Sequence, residues 1–319
     1  MHKCLYCYQP LETSSDFHEK CAKLFFGSRE APKLAHSLGE MSELAKQVVE
    51  RSISVPGVQP KLSMSVFKDK KDGPENRLTV VGAMGGNFIF KPPSEYFPEM
   101  PENEHVTMRI AEVFGIKVVE SSLIRLESGE LSYITKRIDR TTNGEKIHMI
   151  DMFQITEAFD KYKSSMEKVG KALLKHSENT LLDQLSLFEL TLFSFLTGNN
   201  DMHLKNFSMI KSPLGWILAP AYDLLNVRIA NPEDKEELAL TLGGKKKKLT
   251  RAYFERFGEG LGLNPKQIQG VFKRFAKNKE KSIYWINNSF LSNRMKEAYL
   301  EILEERYQRL YNTPQILKH

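Results

Sequence analysis

Thr197-Gly198-Asn199-Asn200-Asp201-Met202-His203-Leu204-Lys205-Asn206-Phe207 is the stretch on which the fold turns. Asp201 and Asn206 stand five positions apart in it. In phosphoryl-transfer loops that spacing lets one short segment aim a carboxylate base at a hydroxyl and an amide oxygen at a metal ion. Asp and Asn also crowd ordinary surface turns, so the flanks decide. Upstream, Leu185 to Leu196 is apolar and long enough for a buried helix, and Gly198 suits the stop just after it. Downstream come the apolar Phe207 and Met209. A polar loop with so much apolar chain on both sides is placed by a core, as catalytic loops are.

The remaining parts of a phosphotransfer site are sought outward from that loop. Gly215-Trp216-Ile217-Leu218-Ala219-Pro220-Ala221-Tyr222-Asp223 reads as a short strand ending at an acidic residue, where kinases place their second metal-binding Asp. The alternative is a strand-end Asp capping a turn. Asn87 to Phe90 is strand-like up to Lys91, and Pro92-Pro93 end it. A helix follows over Asn103 to Phe114, with Val106, Ile110, Val113 and Phe114 on one face. Glu104 near its start is the expected partner of Lys91, as the strand lysine pairs with a helix glutamate in kinases. Farther upstream, Val55-Pro56-Gly57-Val58-Gln59-Pro60-Lys61 lacks the G-x-G-x-x-G pattern, yet a turn there can turn backbone N–H groups toward phosphates. Alternation then resumes at Leu62, Met64 and Val66, a strand signature.

The order of these parts resembles that of the HipA-type serine/threonine kinases, toxins of bacterial toxin–antitoxin systems. The resemblance runs from about Ser52 to at least Asn226. It rests on the V-P-G-V-Q-P-K loop, Phe90-Lys91, Lys136-Arg137-Ile138-Asp139-Arg140, Asp151-Met152-Phe153-Gln154, the Asp201 to Phe207 loop, and Tyr222-Asp223. It implies an α+β, bilobal kinase-like fold and an ATP- and Mg2+-dependent protein kinase, with Asp201 as catalytic base and Asn206 and Asp223 on the magnesium. It implies nucleotide contacts from Pro56, Gly57, Val58, Gln59, Pro60 and Lys61, from Lys91, and from Lys136, Arg137 and Ile138. His203, Leu204, Lys205, Asn206, Tyr222 and Asp223 complete that set.

Only about fifty residues precede the loop, fewer than in full-length HipA-type toxins. That is similar to the short form, HipT, whose missing subdomain is a separate small protein, HipS, beside the DNA-binding antitoxin HipB. Ser54 stands where HipA-type kinases carry an autophosphorylated serine, and Ser52 resembles the extra serine of HipT. The resemblance also implies a protein substrate such as an aminoacyl-tRNA synthetase, and contact with nucleic acid only through the antitoxin.

Composition fits this reading. The chain has 319 residues, 41% of them hydrophobic, enough for a sizeable core in one bilobal unit or two domains. Its net charge of +6 permits an acidic partner without demanding one. The basic run Lys245 to Lys248 has no interleaved aromatics, and reads as an exposed loop rather than a nucleic-acid groove. No apolar run reaches membrane-spanning length, Met1-His2-Lys3-Cys4 opens no signal region, and three cysteines without an export signal suit a reducing cytoplasm. The expected organisation is a short N-terminal segment over residues 1–50 with a helix near Lys33 to Arg51, a strand-rich lobe over 51–138, and a helical lobe over 139–319. A turn-rich hairpin spans Lys68 to Arg77, a charged lid or substrate-facing helix spans Lys161 to Thr180, and a closing helix carries Ile302, Leu303 and Leu310.

One motif lies outside the kinase pattern. Cys4-x-x-Cys7 and His18-x-x-Cys21 contain every cysteine of the chain, and two ligand pairs at this spacing suit a tetrahedral Zn2+ site. The alternative is reduced cysteines with no metal. Two other functions share parts of the pattern: a small-molecule kinase of similar fold, and a non-catalytic module binding nucleic acid.

Overall fold

The computed structural model describes residues 2–51, 61–68, 76–81, 85–94 and 96–312. The chain divides into two compact units.

The first unit comprises Met1–His105 and Val119–Lys146. It opens with α1 (Glu19–Phe26) and α2 (Leu38–Arg51). The second begins later than the expected Lys33, because the Ser37 hydroxyl and N–H both donate to Glu40 and set the start of the helix there. Strands β1 (Leu62–Lys68), β2 (Asn76–Val81) and β3 (Phe88–Lys91) follow, then α3 (Met100–Val113), β4 (Ser121–Arg125) and β5 (Leu131–Lys136). The five strands form one sheet in the order β2-β1-β3-β5-β4, and its pairs are antiparallel. β1 and β2 pair from Ser63↔Val81 to Lys68↔Asn76, so the expected hairpin is present, while its turn lies outside the described residues. Alternation along β1 puts Leu62 and Met64 into the core with Phe88, Phe90 and Ile134. Phe25, Leu34 and Met41 from the N-terminal segment join the same cluster. The N-terminal segment therefore contributes to this unit's core.

The second unit comprises Val106–Val118 and Ile147–His319, so the division falls at Lys146, beyond the expected 138. It carries β6 (Met149–Asp151), α4 (Met152–Ile155), α5 (Met166–His176) and α6 (Thr180–Leu196). Then come β7 (Ser208–Ser212), β8 (Gly215–Leu218), α7 (Val227–Ala230), α8 (Arg251–Gly260), α9 (Pro265–Lys277), α10 (Lys279–Asn288) and α11 (Asn293–Tyr311). α6 buries residues on every side from Leu187 to Leu196, as a helix that is apolar all round must. Phe188 meets Phe257 and Phe272, and Phe195 meets Phe254. The antiparallel sheet β6-β7-β8 stands beside these helices. β8 ends at Leu218, five residues short of Asp223, and the chain continues through an isolated bridge from Ala221 to Val118. Among the described residues no helix is long and apolar enough to cross a membrane.

Candidate active site

In the second unit α6 ends at Leu196, and Gly198 takes a left-handed φ of 68° to reverse the chain. The loop that follows is held by its own atoms. The Asn199 side-chain oxygen accepts from the Asp201 N–H at 3.3 Å, and the Asp201 carbonyl accepts from the His203 N–H at 2.8 Å. A single 3-10 turn, Leu204–Asn206, then buries Leu204 and Asn206 and leaves Lys205 exposed. The Asn206 amide nitrogen donates to the Asp201 carbonyl at 3.0 Å. With the nitrogen so engaged, the amide oxygen is turned to other work, and a hard cation takes such an oxygen.

The Asp201 carboxylate is half-buried and already holds a hydroxyl: Tyr162 Oη donates to its Oδ1 at 2.7 Å. The Tyr162 ring stands edge-on to His203, with centroids 5.0 Å apart. The Leu204 N–H donates to the Lys161 carbonyl at 3.1 Å, which pins this segment to the loop. The expected charged helix forms only over Met166–His176, and Lys161 and Tyr162 lie in the turn before it. Burial holds the His203 imidazole below its usual pKa, against the opposing pull of Asp201. Tyr162 was not among the expected site residues. Its partner lies thirty-nine positions away, so no local pattern marks it.

Tyr222 Oη donates to the Lys205 carbonyl at 3.0 Å and shares a 2.6 Å hydrogen bond with Ser208 Oγ. This ties the Asp223 segment to the Asp201–Asn206 loop. Asp223 has a φ of 59°, a left-handed conformation that costs a non-glycine residue about 1–2 kcal/mol and that clusters at functional positions. Its carboxylate and the Asn206 amide are both oxygen donors, the set that Mg2+ prefers, so this pair fits the implied metal. Asp151-Met152-Phe153-Gln154 forms a capping box on α4: Asp151 Oδ1 accepts from the Gln154 N–H at 2.9 Å, and the Gln154 side chain reaches back to the Asp151 N–H. Asp151 also pairs with Ser208 in the sheet, so this motif fixes the strand that carries the loop forward.

In the first unit Lys91 Nζ lies 2.6 and 2.8 Å from the two Glu104 carboxylate oxygens. Both side chains are at least nine-tenths buried, and Lys91 Nζ also stands 5.3 Å from the Tyr133 ring centroid. Lys136 ends β5, its N–H donating to the Glu120 carbonyl and the Arg137 N–H to the Asn87 carbonyl. The Arg137 guanidinium pairs with Asp139 at 2.6 Å, and Ile138 is half-buried. Lys61 is exposed. Ser52, Ser54, Pro56, Gly57, Val58, Gln59 and Pro60 lie outside the described residues. Cys4, Cys7, His18 and Cys21 are brought together, with one ligand atom from each within 4.8 Å of the others.

The model of the HipA-like C-terminal domain matches residues 53–283. The chain is 29% identical to the Haemophilus influenzae protein named "Putative kinase", over 89% of this chain and 90% of that protein. It is 35% identical to "Putative kinase Y4dM" of Sinorhizobium fredii, over 61% of this chain and 49% of that one. To the serine/threonine-protein kinase toxin HipA of Shewanella oneidensis it is 25% identical, over 70% of this chain. It spans about half the length of these last two proteins, 49% and 55%. Among solved structures, HipA in complex with HipB and operator DNA from Shewanella oneidensis superposes with a TM-score of 0.66 at 22% identity, over 85% of this chain and 71% of that one. The Helicobacter pylori kinase CtkA does so with a TM-score of 0.52 at 18% identity, over 70% of this chain and 88% of that one. These two likenesses give the fold, which is the kinase-like one that the motif order implies. With the model matching well over half of its residues, the chain belongs to the HipA-like C-terminal domain family.

Proposed function

We propose that the chain is an ATP-dependent serine/threonine protein kinase acting as the toxin of a toxin–antitoxin pair. The observation that carries this reading is the half-buried Asp201 carboxylate accepting a hydroxyl hydrogen at 2.7 Å, the contact that a catalytic base makes with its acceptor. Asp201 would take the proton from a serine or threonine hydroxyl as it attacks the γ-phosphorus. Lys91, oriented by Glu104, would hold the nucleotide phosphates. Asn206 and Asp223 would hold Mg2+, which neutralises charge on the phosphates as the bond to the leaving ADP breaks. Pro56 to Lys61, Lys136 to Ile138, His203, Leu204, Lys205 and Tyr222 would supply the further nucleotide contacts that the family resemblance implies.

The relatives' names favour a protein substrate, and an aminoacyl-tRNA synthetase is the candidate that the family resemblance brings, in the cytoplasm. A HipB-type DNA-binding antitoxin is the proposed partner, by likeness to the Shewanella complex. A HipS-like small protein and self-phosphorylation at Ser54 and Ser52 complete the short-form reading. Incubation of the purified chain with γ-labelled ATP, Mg2+ and a cell lysate tests the reading. Labelled protein bands are expected. Label confined to small molecules would make it a small-molecule kinase, and no transfer at all would leave a non-catalytic binding module.

A further inference from the structure

The cysteine cluster near the N-terminus has no part in phosphoryl transfer, and its geometry can be compared with that of a metal site. A tetrahedral Zn2+ with Zn–S near 2.3 Å and Zn–N near 2.0 Å places sulfur about 3.5 Å from nitrogen. Cys7 Sγ lies 3.5 Å, and Cys21 Sγ 3.8 Å, from the same His18 Nδ1. The other ring nitrogen, Nε2, lies 3.0 Å from the Pro10 carbonyl. A carbonyl only accepts, so Nε2 carries the hydrogen and Nδ1 keeps its lone pair toward the sulfurs. Metal-binding histidines are oriented by such a contact.

The backbone is shaped for the same task. Lys3 and Pro10 bridge across a tight turn, the Cys4 N–H donates to the Gln9 carbonyl, and the Tyr8 N–H donates to the Cys4 carbonyl. Tyr8, next after the second cysteine, takes a left-handed φ of 62° that folds the turn back on itself. Three soft thiolates and an imidazole favour zinc over the hard cations.

We propose that Cys4, Cys7, His18 and Cys21 bind one structural Zn2+ that fastens the Cys4–Cys7 turn to the start of α1 within the first unit. The segment they span has little regular structure of its own. Its two short pieces, the turn at Cys4–Cys7 and α1, contribute Leu5, Tyr8 and Phe25 to the core but share no strand pairing longer than an isolated bridge. From the turn, Leu5 accepts the Leu123 N–H of β4 at 3.3 Å, and Tyr8 Oη lies 2.8 Å from His105 Nδ1 on α3, one residue from Glu104. The metal would therefore order the turn from which Leu5 and Tyr8 make these contacts.

Wild-type chain purified without chelator should contain about one zinc per chain by elemental analysis, since one tetrahedral set of ligands holds one ion. Replacement with Co2+ should give the intense visible bands of tetrahedral thiolate coordination. Cys21→Ser and His18→Ala should lower the zinc content and weaken those bands, and a chelator should lower the melting temperature of the wild type. The wild-type metal count and cobalt spectrum decide the matter even if the variants fold poorly. Absence of zinc together with no tetrahedral cobalt spectrum would overturn the site. So would a cobalt spectrum unchanged in Cys21→Ser, or a disulfide whose reduction restores no metal binding. Phosphoryl transfer is read in a separate assay, so either result leaves the kinase reading to its own test.

Discussion

At the scale of single residues, Asp201 is held by one partner five positions away and by another thirty-nine positions away. The Asp201–Asn206 spacing is local, and the structure shows what it achieves: the Asn206 amide nitrogen closes the loop on the Asp201 carbonyl, leaving carboxylate and amide oxygens for chemistry. Tyr162 comes from a distant turn, and its hydroxyl sits on Asp201 Oδ1 where an acceptor hydroxyl would bind. A hydrogen bond to a charged group contributes about 1.5–3 kcal/mol, and an incoming substrate must displace this one. Tyr162→Phe should lower the KM for the acceptor by about tenfold or more, as 1.4 kcal/mol is a factor of ten; steady-state kinetics with an unchanged or raised KM would contradict the displacement. Glu102, two residues before Glu104, gives a pH prediction. Burial pushes its carboxyl up to about 7. A carboxyl whose folded pKa is raised favours the folded state while protonated, so its contribution is complete below the unfolded pKa near 4.5 and is lost as pH rises toward 7. The loss is at most about 3 kcal/mol. Glu102→Gln should melt higher than the wild type at pH 8 and nearly together with it at pH 4.5. Equal melting temperatures at both pH values would show that Glu102 ionises freely in the folded chain.

At the scale of elements, helix positions were readable from apolar runs, and their ends were set by side chains that composition does not reveal. α6 was legible because it is apolar on all faces. Its stop was legible as Gly198, and the reason is steric as well as conformational. A Cβ on Gly198 would lie 2.7 Å from Asn226 Oδ1 and 3.1 Å from Ile302 Cγ2. Asn226 caps α7 through the Ile229 N–H, so the same side chain that packs on the catalytic-loop glycine starts the next helix. Gly198→Ala meets a left-handed penalty of about 1–2 kcal/mol and a clash besides. It should lose about 2 kcal/mol or more of unfolding free energy in denaturant titration, together with most phosphoryl transfer. An unchanged midpoint would mean that the loop relaxes around the methyl group. The strand before Asp223 was read too long, because Ala219-Pro220-Ala221 continues as extended chain with one bridge rather than a ladder.

At the scale of the molecule, the class of fold was legible from the order of Lys91, Glu104, the Asp201–Asn206 loop and Asp223. The sheet order β2-β1-β3-β5-β4 was not. It depends on pairing β3 with β5 across an intervening helix and strand, for which local alternation carries no signal. The sequence sets residues 1–50 apart as a short N-terminal segment. In the structure Phe25, Leu34 and Met41 enter one core cluster, Leu5 is buried, and Arg125 binds Asp16 at 3.1 Å. The function proposed for the whole chain rests on one proton acceptor, and the most direct measurement compares phosphoryl transfer to protein by wild type and Asp201→Gln. Both proteins should bind Mg2+–ATP with similar affinity, because the base acts on the acceptor and not on the nucleotide. The account predicts transfer by the wild type and its near-complete loss in Asp201→Gln. Transfer at near wild-type rate by Asp201→Gln, with nucleotide binding intact, would contradict it.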